Sequence, residues 1–294
     1  MEAKHKAGFV NIVGNPNVGK STMMNFLVGE RLSIITSKAQ TTRHRIMGIV
    51  NGADFQIVYS DTPGILQPAY KMQEVLMNFV NSAIKDADVF VYVVEVGEKN
   101  HSQEIIDKII DSKIPIILVV NKIDGKSDEV ISETKEYWTT LMPEATYFET
   151  SALLGLNIEA VRDKIIELLP ESPAYFPKDE LTDKPMRFFI SEIIREKILL
   201  NYKKEIPYSV EVAVESYLEE DNITRITALI FTERESQKAI LIGHKGEAIK
   251  RVGTQARQDI EAFIGKKVFL EIRIKVIKDW RNDNLTLSRF GYIC

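Results

Sequence analysis

Cysteine is nearly absent from this chain: one residue, Cys294, in 294. That scarcity excludes an internal disulfide framework and any cysteine-based metal cluster, and it fits a reducing, cytoplasmic location. Long apolar runs are missing as well. The longest, VFVYVV (Val89–Val94) and IPIILVV (Ile114–Val120), fall far short of the ~18 residues that a membrane span needs. They read instead as buried parallel strands. The opening stretch, MEAKHKAGF, has lysines but no apolar core, so no secretory signal is expected. Low-complexity segments and internal repeats are also lacking. Net charge is only −4, which excludes a wholly nucleic-acid-coating protein.

What is present is an ordinary globular composition, 45% hydrophobic and 27% charged, over a length that suggests two domains. Charge divides unevenly. Residues 1–180 hold 18 Lys and Arg against 25 Asp and Glu, while residues 181–294 hold 20 against 17. An acidic front and a mildly basic back suit one half handling a small ligand and another touching a polyanion. From Phe9 to about Leu169, short β-rich runs (FVNIV, HRIMGIV, FQIVYS, VFVYVV, IPIILVV, ATYFE) alternate with amphipathic helical segments. That alternation predicts an α/β domain with a doubly wound, mostly parallel sheet over residues 1–171. The segment PESPAYFPKDELTDKP, with four prolines in sixteen residues and no period, predicts a linker at 172–185. Residues 186–294 read as helix, two strands forming a hairpin around EEDN, a short helix, a glycine turn, a long helix and a last strand: a smaller α+β module.

Two glycine turns carry the chemistry. Gly14, Asn15, Pro16, Asn17, Val18, Gly19, Lys20 and Ser21 match G-x-x-x-x-G-K-[ST] between a strand and a helix opened by Thr22. Such glycines let backbone N–H groups face a phosphate at a helix N-terminus. Lys20 would reach the β- and γ-phosphates and the Ser21 hydroxyl a Mg²⁺ ion. NKID, with Asn121, Lys122 and Asp124, lies at the carboxyl end of a parallel strand, where such sheets bind ligands. An aspartate there accepts from both N1–H and the N2 amine of guanine; adenine has no such pair of donors and would leave the carboxylate unpaired. The Lys122 stem can cover the base. In DTPG, Asp61 would hold Mg²⁺ through water, and Gly64 lets its N–H approach a γ-phosphate, with Thr62 and Pro63 in the same nucleotide-binding turn. TSA supplies backbone N–H groups at Ser151 and Ala152 for guanine O6. In QTTRH, Thr42 would complete the metal site, with Thr41 the alternative. Asn17 could help hold K⁺, although an asparagine that merely shapes the turn is the commoner use.

The second turn, Gly243-His244-Lys245-Gly246, lacks the GK[ST] ending and so is no nucleotide cradle. A GxxG between helices beside a three-stranded sheet is the device by which KH domains clamp single-stranded RNA. Lys245 supplies charge, helped by Lys238, Lys250 and Arg251. Ile240, Ile242, Ile249 and Val252 would floor the groove. His244 could stack on a nucleotide or simply be solvated. Lys275, Lys278, Trp280 and Arg281 could extend the surface, with a half-buried Trp280 the commoner outcome.

GNPNVGKS, TT, DTPG, NKID and TSA in this order resemble the signature elements of translation-factor-type small GTPases. The stretches SKAQTTRHRI, DTPGI, SEIIREK, PYSV and IGHKG, together with the GxxG module, resemble the TrmE/Era-like bacterial GTPases with a C-terminal KH (type II) domain, nearly end to end. The resemblance implies GTP and GDP as ligands with Mg²⁺, and binding to the 3′ end of small-subunit (16S) ribosomal RNA. It further implies a role in assembly of the small ribosomal subunit and peripheral attachment to the inner face of the membrane. A monomer without a DNA partner is expected. Ile65 stands where many small GTPases carry a water-orienting glutamine, so unaided hydrolysis is expected to be slow, on the order of 10⁻⁴–10⁻² s⁻¹. Two rival classes stay open: a metabolic nucleotide-using enzyme, which ATP competition would reveal, and a membrane-surface switch, which failure to bind RNA would favour. The tail NDNLTLSRFGYIC carries no assignment.

Overall fold

A computed structural model describes residues 5–292; residues 1–4, Ile293 and Cys294 lie outside the described residues. The chain divides into two compact units, one made of residues up to Pro68 together with Leu76–Asp183, the other of Ala69–Val75 and the chain from Lys184 on.

The first unit is built from β1 (Lys6–Val13), α1 (Lys20–Val28), β2 (Ile46–Asn51), β3 (Phe55–Asp61), most of α2 (Lys71–Lys85), β4 (Val89–Glu95), α3 (Gln103–Asp111), β5 (Ile116–Asn121), α4 (Asp128–Leu141), β6 (Thr146–Thr150) and α5 (Ile158–Leu168). Its sheet has the order β2-β3-β1-β4-β5-β6, with β2 antiparallel to β3 and the other pairs parallel. Strand β4 is buried on both faces through Val94, which is why it reads as an unbroken apolar run rather than an alternating one. Helices cover the sheet with single stripes. In α2, Leu76, Val80 and Ala83 recur at helical spacing and are fully buried. Each large one contributes roughly 1.5–3 kcal/mol through burial. The order reverses at β1, which is flanked by β3 and β4, so the loops at its carboxyl end open onto a crevice.

The proline-rich segment is not a free tether. Ile49 N–H donates to Leu181 O and Met47 N–H to Asp183 Oδ1, so its end runs beside β2. Gln56, fully buried in β3, does the rest. Its Oε1 accepts from the N–H groups of Tyr175 and Phe176 (2.7 and 3.0 Å), and its Nε2 donates to Phe176 O and Asn51 Oδ1 (both 2.8 Å). Prolines deny this segment a regular ladder, so one side chain supplies the partners that strands would otherwise provide.

The second unit contains α6 (Met186–Asn201), α7 (Ile206–Ser209), β7 (Glu211–Glu219), β8 (Thr224–Thr232), α8 (Glu235–Ile242), α9 (Glu247–Ile264), β9 (Val268–Val276) and α10 (Asn284–Arg289). β7 and β8 form the expected hairpin, and β9 adds in parallel beside β8. One face of this sheet packs Val212, Ile230 and Ala228 against Ile190, Ile194 and Ile198 of α6 and Val252, Ala256 and Ile260 of α9. Val252 is therefore core rather than groove floor, because its helix face turns inward. Trp280 corrects the reading of a stacking or rim tryptophan. It is fully buried, donates from Nε1 to Ser209 O (3.1 Å) and stands edge-on to Phe290 at 5.4 Å. The tail that carried no assignment provides this cover: Phe290 packs on Phe231 of β8, and the Tyr292 hydroxyl donates to Glu211 Oε2 at 2.6 Å. Arg281 and Lys275, expected to face RNA, pair with Glu233 and Glu215.

Replacing Gln56 with leucine keeps the volume but strands two backbone N–H groups. Urea unfolding of the first unit should lose roughly 1–3 kcal/mol, and limited proteolysis should begin within residues 172–183. Wild-type stability together with an unchanged cleavage pattern would refute this role for Gln56.

Candidate functional site

The crevice at the end of β1 is a cleft of about 360 Å³, lined by the phosphate-type turn, the NKID and TSA loops, and residues 34–42. Its floor is set by backbone geometry. Gly14, Asn17 and Gly19 all have positive φ (147°, 66° and 103°), so the turn is wound in a way that L side chains rarely tolerate. Gly19 is forced for a second reason: a Cβ there would lie 2.2 Å from Asn121 Nδ2.

Asn121, at the end of β5, is the tie between loops. Its Nδ2 donates to Val18 O (2.8 Å), and its Oδ1 accepts from the Ala152 N–H (2.9 Å) and the Thr150 hydroxyl (3.1 Å). The phosphate-type turn and both base-facing loops are thereby joined through one buried amide. The Ala152 N–H, expected to meet guanine O6, is thus already engaged and would have to share its hydrogen. Asp124 stands exposed at the cleft, held by the Ser151 hydroxyl at 2.6 Å from Oδ1. Its carboxylate is not buried in advance, so a base must do the desolvating. Lys122, at φ 64°, pairs with Glu95 Oε2 at 2.6 Å, which steers its stem along the cleft wall. Both partners are over a third exposed, so the pair orients more than it stabilises.

On the phosphate side, Lys20 is buried and donates to Gly14 O (2.9 Å) and Asn15 O (2.7 Å). Burial pushes its ammonium down to about 8, against the pull of Asp61 and Glu98. Asp61, at the end of β3, accepts from Ser21 Oγ (2.7 Å) and Thr42 Oγ1 (3.2 Å) through Oδ2, and those two hydroxyls lie 2.9 Å apart. Its Oδ1 has no hydrogen-bond partner; the Ser33 hydroxyl faces the carboxylate without forming a well-made bond. Burial raises the Asp61 carboxyl, with Ser21, Lys20, Ser33 and Thr42 opposing. Three converging oxygens with an unsatisfied carboxylate atom fit a hard divalent cation such as Mg²⁺, which prefers few protein ligands beside phosphate oxygens. Thr41 is excluded from that set by its own bonds to Thr36 Oγ1 and Lys38 O.

The remaining expected residues serve by position. The Thr62 hydroxyl donates to Ile12 O, and the Ile65 N–H donates to Gly14 O at 3.2 Å. The Ile65 side chain packs into the core, away from the cleft. Gly64 approaches Pro16 so closely that a Cβ would lie 2.7 Å from the proline Cα. Pro63 continues the same turn, and Val18 is buried beneath the loop. The Asn15 amide points to Glu98 Oε1 and Asn100 O, and Thr22 lines the cleft. Asn17 donates to Ser37 O at 3.1 Å, so its amide hydrogen, not its oxygen, faces the neighbouring loop, the geometry of a turn-shaping asparagine. Sequence reasoning missed Ile34, Ile35, Thr36, Ser37, Gln40 and Leu153, which also line the cleft. Leu153 follows TSA directly, and Ser37 and Gln40 lie within SKAQTTRHRI, positions that could have flagged them; Ile34, Ile35 and Thr36 belong to no pattern.

In the second unit, Gly243 and Gly246 have φ 71° and 80°, and Lys245 between them has φ 48°. A Cβ on Gly243 would lie 2.6 Å from the Ala248 Cβ, so that glycine permits the close approach of α8 and α9, whereas Gly246 is needed for its backbone angle alone. His244, Lys245, Lys250, Arg251, Ile240 and Ile242 are exposed around this turn; Lys238 and Ile249 are partly covered.

Changing Asn121 to alanine removes three hydrogen bonds and frees the two loops from each other. Guanine-nucleotide affinity, measured by calorimetry, should fall on the order of 100-fold, as about 3 kcal/mol of net bonding is lost. Wild-type affinity in that variant would sink the idea.

Comparison with known proteins agrees with this geometry. Residues 9–122 match the family described as 50S ribosome-binding GTPase, and residues 205–281 match the KH domain family. The chain is 41% identical to GTPase Era of Alkaliphilus metalliredigens over 98% of this chain and 99% of the relative, and 43% identical to GTPase Era of Syntrophus aciditrophicus over 98% and 95%. Among solved structures, a single-residue variant of Aquifex aeolicus Era bound to GDP·AlF4⁻ superposes with a TM-score of 0.94 at 35% identity, covering 98% of this chain and all of that one. A structure of Era in complex with MgGDPNP and nucleotides 1506–1542 of 16S ribosomal RNA matches with the same TM-score and identity over 99% of this chain. The chain belongs to the Era family of GTPases, a P-loop GTPase domain followed by a KH domain.

Proposed function

We propose that this protein is a GTP-hydrolysing switch that binds the 3′ end of small-subunit ribosomal RNA and acts in assembly of that subunit. The observation that carries this reading is the lock formed by Asn121, which holds the Asp124 loop and the phosphate-type turn in one fixed relation. A nucleotide must therefore present a base and a phosphate chain at a set separation. Guanine offers N1–H and N2–H to Asp124, and its arrival takes that carboxylate out of water only when both donors are present.

On the phosphate side, Lys20 exchanges two carbonyl partners for phosphate oxygens, which gives its buried ammonium an anionic counter-charge. Ser21, Thr42 and Asp61 hold Mg²⁺, which supplies neutralisation of the charge on the transferring phosphoryl group. Gly64 turns its N–H toward the terminal phosphate, and Ile65 leaves the attacking water without a side-chain partner. Slow unaided turnover follows from that, and so does a role for a stimulating partner. The structures of Era with GDP·AlF4⁻ and with MgGDPNP plus 16S ribosomal RNA support the nucleotide and RNA assignments.

The KH unit holds the RNA strand through Gly243 to Gly246, with Lys238, Lys245, Lys250 and Arg251 on phosphates and Ile242 beneath the bases. In this reading the protein works as a cytoplasmic monomer with no DNA partner. Any association with the inner membrane is peripheral; no helix among the described residues is long and apolar enough to cross one.

Two experiments test the halves separately. Asp124→Asn replaces one acceptor with a donor, so GTP should bind on the order of 100-fold more weakly while xanthosine triphosphate, with a carbonyl at C2, gains. Equal calorimetric heats for GTP with wild type and variant would end the GTP half. Lys245→Glu should weaken binding to an RNA copy of nucleotides 1506–1542 and flatten its salt dependence. Unchanged anisotropy titrations would end the RNA half.

A further inference from the structure

We propose that Lys203 and Lys204, in the turn after α6, carry additional phosphates of the RNA strand and extend its path beyond the Gly243–Gly246 turn. The inference rests on the RNA reading of that turn given above. It begins with a buried anchor. Tyr202, the residue before the pair, is 7% exposed and donates from its hydroxyl to Leu241 O at 2.6 Å, two residues ahead of Gly243. Asn201, one residue earlier, donates to Gln255 Oε1 of α9 at 2.7 Å. Arg251 lies close enough to act on the Tyr202 phenol electrostatically. The α6 end is thus lashed to both helices that flank the glycine turn, and the two lysines leave that lashing directly into solvent.

Charge in this corner is uncompensated. Across residues 203–205 and 238–251, six side chains are cationic and only Glu205 and Glu247 are carboxylates. Among the described residues, none of those six cations pairs with a carboxylate. Elsewhere in this unit many cations are paired: Arg225, Arg257, Lys266, Arg273 and Lys275 each lie beside a glutamate. An unpaired cluster of one sign attracts a polyanion, and single-stranded RNA is the polyanion that the adjoining turn is shaped to hold.

The backbone of this turn is strained at Lys204. Lys204 has φ 55°, a left-handed conformation that glycine or asparagine would adopt with less strain. Lys245 in the RNA-facing turn has the same feature, at φ 48°. In both turns a lysine is held where its stem projects from a tight bend.

This strain gives a decisive test. Lys204→Gly relieves the backbone and removes the charge, so the full-length variant should melt no lower than wild type. Combined with the exposed Lys203→Gln, it should bind an RNA copy of nucleotides 1506–1542 of 16S ribosomal RNA on the order of 10-fold more weakly. The slope of log affinity against log salt should fall by about 1.4, as for two lost single-strand phosphate contacts. A Lys203→Arg, Lys204→Arg chain should retain both. If the double variant keeps wild-type affinity and slope while Lys245→Glu is impaired, this extension is overturned and the RNA reading stands. If Lys245→Glu binds as well as wild type, the RNA reading fails and the extension fails with it.

Discussion

A single carboxamide, that of Asn121, decides whether the cleft exists as a site or as several loops. It sits at the carboxyl end of β5, buried, with Val18 O, Thr150 Oγ1 and the Ala152 N–H as partners. These groups come from the phosphate-type turn and from the end of β6 with the loop after it, and each would be an unsatisfied buried polar group without the amide. The fit is reciprocal with Gly19: the amide occupies the space that a Cβ would need. Parallel topology brings these loops to one edge of the sheet, because the parallel strands β1, β3, β4, β5 and β6 all deliver their carboxyl ends there. Topology alone would leave them adjacent. The asparagine makes their spacing a fixed quantity, and selectivity for a base at one end and phosphates at the other depends on that spacing.

The phosphate half is poised rather than relaxed. Asp61, Ser21 and Thr42 satisfy one another as far as they can and Lys20 donates to two backbone carbonyls, yet burial depresses the Lys20 ammonium and raises the Asp61 carboxyl. Both shifts have the sign of a charge held without enough partners. A triphosphate beside Lys20 and a divalent cation beside Asp61 each reverse the local penalty, so ligand binding stabilises groups that folding alone leaves strained. The unpartnered Asp61 Oδ1 is the same fact seen at the level of one atom.

The strands, the helices and the phosphate-type turn were readable from sequence because their signals are local: apolar runs of the right length, helical spacing, and glycines at fixed offsets. What could not be read depends mostly on residues far away in the chain. Gln56 is an ordinary polar residue in a β run, and nothing near it in the chain shows that it will hold residues 175 and 176. Trp280 reads as a surface aromatic because it follows a charged strand end. It is buried because a tail with no periodic signal of its own brings Phe290 over it, and Phe290 packs in turn on Phe231 of β8. Val252 lay in the right stretch but on the wrong side of α9, a difference of one helical face. Sequence put Thr42 ahead of Thr41 for the metal without a contact to show why; the bonds of Thr41 to Thr36 and Lys38 supply the reason.

Charge asymmetry pointed to a polyanion for the same kind of incomplete reason. The carboxyl-terminal part is more basic than the front, but many of its surface cations are already neutralised in pairs. Net charge therefore identifies the right unit on weak grounds. What marks the region around the Gly243–Gly246 turn is six cations close together in the chain segments that meet there, none of which pairs with a carboxylate among the described residues. A paired cation must first release its carboxylate before it can bind a phosphate, and that exchange cancels much of the gain. An unpaired one releases only small counterions, which is entropically favourable and falls with salt. Affinity for RNA should thus follow the unpaired subset, not the total.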